Sequence, residues 1–234
     1  MTQILDLPHV PRAYQWECTL AMYVDTKQLD EIEAKLGKPQ VQHMEFEIGD
    51  MELAFVRATQ KHGRAHDITL FIFDDDHLAL IRKPMFQRPI YRAPSGGLNP
   101  GESFEEGAKR EALEETGLEV ELEKYLLRVH VRFTSEGDHL DWTSHVFQAR
   151  KVGGRLEAHD TAEIAETIYG TIEDLQGPIR QALLESGRRL LAYRATLTDA
   201  VVEVLQTQGR VCSQVIEAPH GSEATPWGGG LGEE

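Results

Sequence analysis

One segment, 96–118, constrains this 234-residue chain more than any other, because it joins a glycine-rich loop to a helix with a defined start and end. Ser103 and Glu106 form the pattern of an N-terminal capping box, and Gly117 supplies a C-terminal stop. Acidic residues in the first turn complement the positive end of the helix dipole. The pattern predicts a short helix over residues 103–116.

Three glutamates of this helix share one face. Glu111, Glu114 and Glu115 have i, i+3 and i+4 spacing, so their side chains point back over the preceding turn. Such like charges destabilise a helix unless a cation neutralises them, and the single guanidinium of Arg110 cannot balance three carboxylates. Hard oxygen ligands suit Mg²⁺ or Mn²⁺, and Mg²⁺ commonly keeps several waters and also binds substrate phosphates. The helix therefore predicts a divalent-cation site for a phosphate-bearing substrate.

The loop before the helix leaves room for a ligand. Pro94, Gly96, Gly97, Pro100 and Gly101 define a tight path along which the backbone can approach a ligand or a metal. The alternative interpretation is a solvated, glutamate-rich surface helix, which is what most charge runs are. The glycine loop and the Arg-Glu pair occur in register with the acidic residues, and this favours the functional interpretation.

The segment resembles the Nudix box at every specified position. These positions are Gly96, Glu102, Arg110, Glu111, the apolar Ala112, Glu114, Glu115, Gly117 and the apolar Leu118. The chain is thus similar to catalytically intact Nudix hydrolases. The resemblance implies an α+β fold of the α/β/α sandwich type, with a mixed β-sheet between helices, to which this chain adds an N-terminal α+β extension and C-terminal helices.

The resemblance also implies roles for individual residues. Glu114 and Glu115 correspond to the principal metal ligands, and the Gly96 carbonyl corresponds to a backbone ligand. Glu111 corresponds to a further ligand or to the base that activates water, while Arg110 corresponds to the residue that orients the glutamates. The implied reaction is the Mg²⁺- or Mn²⁺-dependent hydrolysis of the diphosphate linkage in a nucleoside diphosphate that is joined to another moiety.

A later segment, 160–175, resembles the region that supplies one more glutamate to such sites. Glu163 is the first candidate for this role and Glu166 is the second. For each of them, the alternative of an ordinary surface acid stays open.

The net charge limits the partners of the chain. A formal charge of −15 disfavours binding to nucleic acid or to an anionic membrane, because phosphate contacts need clustered lysines and arginines. A small anionic nucleotide-diphosphate substrate must then be met locally, by the metal and by a few basic side chains. The candidates just upstream of the box are Arg82, Lys83, Arg88 and Arg92.

The rest of the sequence suggests three regions. Residues 1–60 predict an α+β extension, with strands at 18–24, 41–48 and 51–58 and a helix at 29–36, that shapes the cleft or mediates homodimerisation. Residues 61–208 predict the catalytic domain, with a hairpin over 68–84, two further strands and helices after Pro178. Residues 209–234 are glycine-rich and acidic, and they predict a disordered tail.

The chain is expected to be cytoplasmic. It has no basic start followed by an apolar stretch and no run of about 18 apolar residues, so neither a signal peptide nor a membrane span is predicted. Cys18 and Cys212 are far apart and in no metal-binding spacing, which argues against a disulfide framework or a zinc site.

The substrate stays open between three classes. Residues 91–96, YRAPSG, resemble the entry to the box that is common among ADP-sugar hydrolases, which favours ADP-ribose or a nucleotide sugar. The alternatives are a pyrophosphohydrolase of nucleoside triphosphates or capped RNA, and a non-catalytic nucleotide sensor. The acidic composition counts against RNA, and the N-terminal extension has no DNA-binding signature of the kind that sensors carry.

Overall fold

The structure, a computed structural model, describes residues 26–60, 64–86 and 89–209. The helices are α1 (Thr26–Leu36), α2 (Asp50–Thr59), α3 (Phe104–Thr116), α4 (Ile172–Gln176), α5 (Pro178–Glu185) and α6 (Arg189–Thr207). The strands are β1 (Gln40–Glu47), β2 (His66–Asp74), β3 (His77–Arg82), β4 (Tyr91–Arg92), β5 (Ser95–Gly96), β6 (Leu118–Ser135), β7 (Asp138–Gly154) and β8 (Glu166–Gly170).

These eight strands form one mixed sheet in the order β1-β6-β7-β2-β3-β4, with β5 paired to β2 and β8 paired to β3. The β1–β6 and β2–β7 pairs are parallel, and the others are antiparallel. A two-residue turn joins β6 to β7, with positive φ at both Glu136 and Gly137, as the twist of hairpin strands favours. The predicted hairpin between β2 and β3 is confirmed, and its turn is at Asp75 and Asp76.

Helices cover both faces of the sheet. Alternate side chains of β2 enter different cores, because successive residues of a strand point to opposite faces. Ile68, Leu70 and Ile72 pack with residues of α1 and α3, whereas Phe71 and Phe73 pack with α2, α4, α5 and α6. The fold is therefore an α/β/α sandwich, and the prediction of this fold class is confirmed.

The prediction of a strand over residues 51–58 is wrong, because this segment forms α2. Gly49 precedes the helix, and the Glu52 carboxylate accepts a hydrogen bond from the Gly49 N–H at 3.2 Å. Leu53 and Val56 are three residues apart and are both buried against the sheet. This helical spacing and the cap outweigh the strand preference of Phe55 and Val56.

The N-terminal elements belong to the same sheet and to both cores. Strand β1 pairs with β6 from Gln40–Leu127 to Glu47–Thr134. Ile32 of α1 lies in one core, and Leu53 of α2 lies in the other. The domain boundary at residue 60 stays a prediction, and the predicted strand 18–24 and the tail from residue 210 lie outside the described residues. No helix of the described residues is long and apolar enough to cross a bilayer.

Candidate active site

Helix α3 begins and ends almost where the sequence predicts. The Ser103 hydroxyl accepts a hydrogen bond from the Glu106 N–H, and the Glu106 carboxylate accepts one from the Ser103 N–H at 2.9 Å. Gly117 takes the left-handed conformation with φ of 72°, and its N–H donates to the Leu113 carbonyl. The face of α3 with Phe104, Ala108 and Ala112 is buried on the sheet.

A cavity of about 940 Å³ lies beside these glutamates. Eight residues that the sequence suggested as ligands, catalysts or substrate contacts line it. They are Lys83, Arg92, Gly96, Arg110, Glu111, Glu114, Glu115 and Glu163.

Arg110 connects the acidic side chains of the loop and the helix. Its Nε and Nη2 atoms donate to the Glu102 carboxylate at 2.7 and 2.8 Å. Its Nη1 atom donates to Glu111 at 2.8 Å and to Glu114 at 3.0 Å, and Nη2 also donates to the Gly97 carbonyl at 2.8 Å. Hydrogen bonds to Glu102 raise the pKa of Arg110, so this cation stays charged and holds the carboxylates in fixed orientations.

The Glu111 carboxylate packs directly against Gly96. A β-carbon at position 96 would overlap that carboxylate, so only glycine allows this close approach. Burial raises the pKa of Glu111, and the opposing hydrogen bond and charge of Arg110 do not fully offset it. The environment of Glu111 thus favours an additional positive charge nearby.

Glu115 is only 3% exposed, and each of its carboxylate oxygens has a partner. Oε2 accepts a hydrogen bond from the Ser95 N–H at 2.8 Å, and Oε1 pairs with Lys83 Nζ at 2.9 Å. The same Nζ atom lies 2.8 Å from the Glu163 carboxylate. Lys83 therefore joins a glutamate of α3 to the glutamate predicted from the later segment.

The segment before Glu163 is tied to the end of α3. The N–H groups of His159 and Asp160 donate to the Glu114 carbonyl at 3.0 and 2.9 Å. The Asp160 carboxylate in turn accepts hydrogen bonds from the N–H groups of Ala162 and Glu163, both at 3.0 Å. These bonds position Glu163 at the cavity, beside the C-terminal end of α3.

The second candidate from this segment lies elsewhere. Glu166 is on β8, where its carboxylate accepts hydrogen bonds from Arg82 Nε at 3.0 Å and from the Tyr91 hydroxyl at 2.9 Å. Both Glu166 and Arg82 are outside the cavity lining that the described residues form. Of the two glutamates, Glu163 is the one that the fold brings to the cavity.

Of the three arginines suggested for substrate binding, Arg92 lies in the cavity. Its Nη1 atom donates to the Ala93 carbonyl and to the Ser95 hydroxyl, both at 2.8 Å. Burial lowers the pKa of Arg92 to about 10, so the side chain is still a cation at neutral pH. Arg82 pairs with Glu166 instead, and Arg88 lies outside the described residues.

A buried polar network forms part of the cavity that sequence reasoning missed. The Asp67 carboxylate accepts hydrogen bonds from Arg194 at 2.8 Å, from Ser144 at 2.7 Å and from Trp142 at 3.0 Å. Burial alone would raise the pKa of Asp67, but the Arg194 charge and these hydrogen bonds together lower it. The sequence signals for this network are an aspartate at the start of an apolar strand and an arginine within a helix that has many apolar residues.

The cavity also has an apolar side, which we call the apolar wall. Its residues come from α2, from the segment that follows β3, from strands β6 and β7, and from the start of α6. They are Met51, Phe55, Val56, Met85, Phe86, Phe133, Trp142, Leu190 and Leu191.

The charges around the cavity nearly balance. Within the described part of the chain, seven acidic residues line it, namely Glu52, Asp67, Glu111, Glu114, Glu115, Asp160 and Glu163. Six basic residues of the same part line it, namely Arg64, Lys83, Arg92, Arg110, Arg188 and Arg194. The strongly negative charge of the whole chain is therefore not concentrated here, and an anionic ligand meets local cations.

Comparison with known proteins identifies the family. The family model described as the NUDIX domain matches residues 63–192, which is more than half of the chain. The match includes α3, its glycine loop and the segment that carries Glu163. The chain belongs to the Nudix family.

Two curated relatives show the extent of the sequence similarity. The chain is 33% identical over 122 residues to the putative mutator protein MutT4 of Mycobacterium tuberculosis (strain CDC 1551 / Oshkosh), covering 52% of this chain and 46% of that protein. It is 34% identical over 97 residues to the 8-oxo-dGDP phosphatase NUDT18 of Homo sapiens, covering 41% of this chain and 28% of that protein. The chain thus spans less than half the length of either relative.

Solved structures are similar at a lower level. A UDP-X diphosphatase is 18% identical with a TM-score of 0.44, covering 79% of this chain and 73% of that chain. An ADP compounds hydrolase is 24% identical with a TM-score of 0.42, covering 62% of this chain and 75% of that chain. Similarity at this level does not define a substrate.

Proposed function

We propose that the protein is a metal-dependent hydrolase that cleaves the diphosphate linkage of a nucleoside diphosphate joined to another moiety. The observation that carries this proposal is that Glu111, Glu114 and Glu115 of one helix line the same cavity as the half-buried cation of Arg92. Carboxylates can hold a divalent cation, and a nearby guanidinium can bind the phosphate oxygens.

The donor set fits Mg²⁺ or Mn²⁺ by its chemistry. Glu111, Glu114, Glu115 and the Gly96 carbonyl are the proposed ligands, and all are hard oxygen donors. Within the described residues, no three acidic, histidine or cysteine side chains are gathered closely enough to hold a metal as they stand, and Arg110 and Lys83 neutralise the glutamates instead. The bound metal would neutralise phosphate oxygens and lower the pKa of a water.

The side chains of the cavity then divide the remaining tasks. Arg110 orients Glu111 and Glu114 through its hydrogen bonds, as the sequence resemblance implies. Glu163 is the proposed general base. Its Oε2 atom lies 2.8 Å from Lys83 Nζ, and this ion pair holds the carboxylate in place. Arg92 is the proposed contact for the diphosphate, because it carries a positive charge at the same cavity.

We favour ADP-ribose or a nucleotide sugar as the substrate. Support comes from the segment 91–96, which resembles the entry to the box in ADP-sugar hydrolases. Two residues of this segment, Arg92 and Gly96, line the cavity. The cavity volume of about 940 Å³ is in the range of small-molecule sites.

A free nucleoside di- or triphosphate is the second candidate. It is favoured by the 34% identity to NUDT18, whose name describes it as a phosphatase of 8-oxo-dGDP. The two candidates differ in whether a second moiety is attached beyond the diphosphate.

A hydrolysis panel tests the proposal. Product release would be measured from ADP-ribose, nucleotide sugars, dinucleoside polyphosphates, coenzyme A, 8-oxo-dGDP and nucleoside triphosphates, with Mg²⁺ or Mn²⁺. We expect turnover of one class, its loss in Glu114→Gln, and its retention in Glu203→Gln, which changes an exposed helical glutamate of α6. Absence of turnover across the panel would contradict the proposal and favour the sensor alternative.

A further inference from the structure

Through α2, the apolar wall is continuous with the side of the cavity that the glycine loop and α3 form, which we call the acidic side. Met51, Phe55 and Thr59 have i, i+4 and i+8 spacing, so they share one face of the helix, and all three line the cavity. This helical face, which the sequence does not predict, forms one side of the cavity along its length.

Both ends of α2 are fixed to other parts of the cavity. Near its start, Glu52 Oε1 accepts a hydrogen bond from the Leu190 N–H of α6 at 3.1 Å. At its end, the Thr59 carbonyl accepts one from Arg64 at 3.1 Å, and the Arg64 guanidinium lies against Gly97 of the glycine loop. A ten-residue helix is about 15 Å long, so the wall extends about that far from the glycine loop to α6.

Large apolar side chains of the wall remain open to solvent. Met51 is 88% exposed, Met85 is 57% exposed and Phe55 is 56% exposed. The guanidinium of Arg188 lies 5.5 Å from the centre of the Phe86 ring, also at this wall. Aromatic rings, methionine sulfur and an arginine plane are groups that a flat aromatic ring packs against.

We propose that the apolar wall is the subsite for the nucleobase of the substrate, with Phe55 and Phe86 as its ring contacts. This inference rests on the proposed function, in which Arg92 contacts the diphosphate and the α3 glutamates hold the metal beside it. A sugar is a poorer occupant, because its hydroxyls need polar partners and the side chains of the apolar wall offer none.

Binding of AMP compared with ribose 5-phosphate tests the subsite, since the two ligands differ in the base. Calorimetry on the whole chain should show tighter binding of AMP to the wild type. Phe55→Ala should weaken AMP binding by about fivefold or more, the effect of one lost stacking contact, and leave ribose 5-phosphate unchanged. Phe55→Trp should restore AMP binding, and Leu184→Ala, an exposed change outside the cavity, should alter neither ligand.

Three results would overturn the subsite. The first is equal binding of AMP and ribose 5-phosphate to the wild type, and the second is wild-type AMP binding by both Phe55→Ala and Phe86→Ala. The third is a Phe55→Ala variant that binds AMP as the wild type does but has lost a dimer that the wild type forms in sedimentation. This result would make the wall an interface between copies. Base-dependent binding without hydrolysis of any substrate would refute the proposed hydrolase activity and support the subsite. Hydrolysis with base-independent binding would support the activity and refute the subsite.

Discussion

The two sides of the cavity differ in how their residues are assembled. The acidic side comes from one continuous segment, in which the glycine loop and α3 carry Glu111, Glu114 and Glu115 together with their organiser, Arg110. The apolar wall combines residues from α2, the segment after β3, two long strands and α6. The difference indicates that a short motif can specify chemistry, whereas the surface that surrounds the rest of a ligand depends on the whole fold.

The two sides also differ in internal order. On the acidic side, charged groups are paired with each other at 2.7 to 3.0 Å. On the apolar wall, Met51 and Phe55 expose large surfaces. We therefore expect substitutions on the acidic side to affect the reaction, and substitutions on the apolar wall to affect the affinity for the base.

The largest expected effect follows Glu114→Gln. The amide has nearly the same volume as the carboxylate but lacks the charge of the proposed metal ligand, so turnover should fall by about 100-fold or more while the fold is kept. Turnover with Mg²⁺ and the far-ultraviolet circular dichroism spectrum would be measured, with Glu203→Gln as the matched control. Wild-type turnover in Glu114→Gln would show that the acidic side is not the reaction centre.

A smaller loss is expected for Arg110→Lys. A lysine keeps the charge but cannot reproduce the planar contacts to Glu102, Glu111 and Glu114, so turnover should fall by about tenfold. Arg150→Lys is the matched control, because Arg150 pairs with Glu121 and Glu123 on the sheet surface. Equal turnover in the two variants would contradict an orienting role for Arg110.

The stability of the sandwich should depend on pH through His66. Burial lowers the pKa of this histidine to about 4, below the unfolded value of 6.5. Between pH 6.5 and 4 the unfolded chain binds a proton that the folded chain does not, so the free energy of unfolding should fall with falling pH by up to about 1.4 kcal/mol per pH unit. Above pH 6.5 this contribution is constant.

Urea unfolding at several pH values would measure this effect. The pKa values of His130 and His145 are also lowered by burial, so His66→Gln should reduce the slope between pH 6.5 and 4 without abolishing it. His139→Gln, which changes an exposed histidine, should leave the slope as in the wild type. An identical slope in His66→Gln and the wild type would contradict the assignment.

The smallest effect is expected for Arg57→Ala on α2. Arg57 pairs with Asp138 at 3.0 Å, but both side chains are about half exposed, and such surface pairs contribute little. The urea midpoint should stay unchanged within error, because the buried Leu53 and Val56 hold α2 in place. A clear drop in the urea midpoint would mean that the ion pair, rather than apolar packing, attaches α2 to the sheet.

The sequence was sufficient for the parts of the molecule whose signals are local. The capping box at Ser103, the stop at Gly117 and the hairpin at Asp75 are each read from a few neighbouring residues. Helix α2 was misread because Phe55 and Val56 favour strands, and the buried partners that select a helix are distant in sequence. The contact between Asp67 and Arg194 joins residues 127 positions apart, and periodicity contains no information about such a pair.

The parallel pairing of β1 with β6 has a consequence for synthesis of the chain. Residues 40–47 leave the ribosome long before their partners at 127–134 have been made. At typical elongation rates this delay is on the order of ten seconds, during which an edge strand and the apolar face of α2 have no native partner. Nascent chains stopped before residue 118 should therefore bind holdase chaperones, and this binding should end once β6 has emerged.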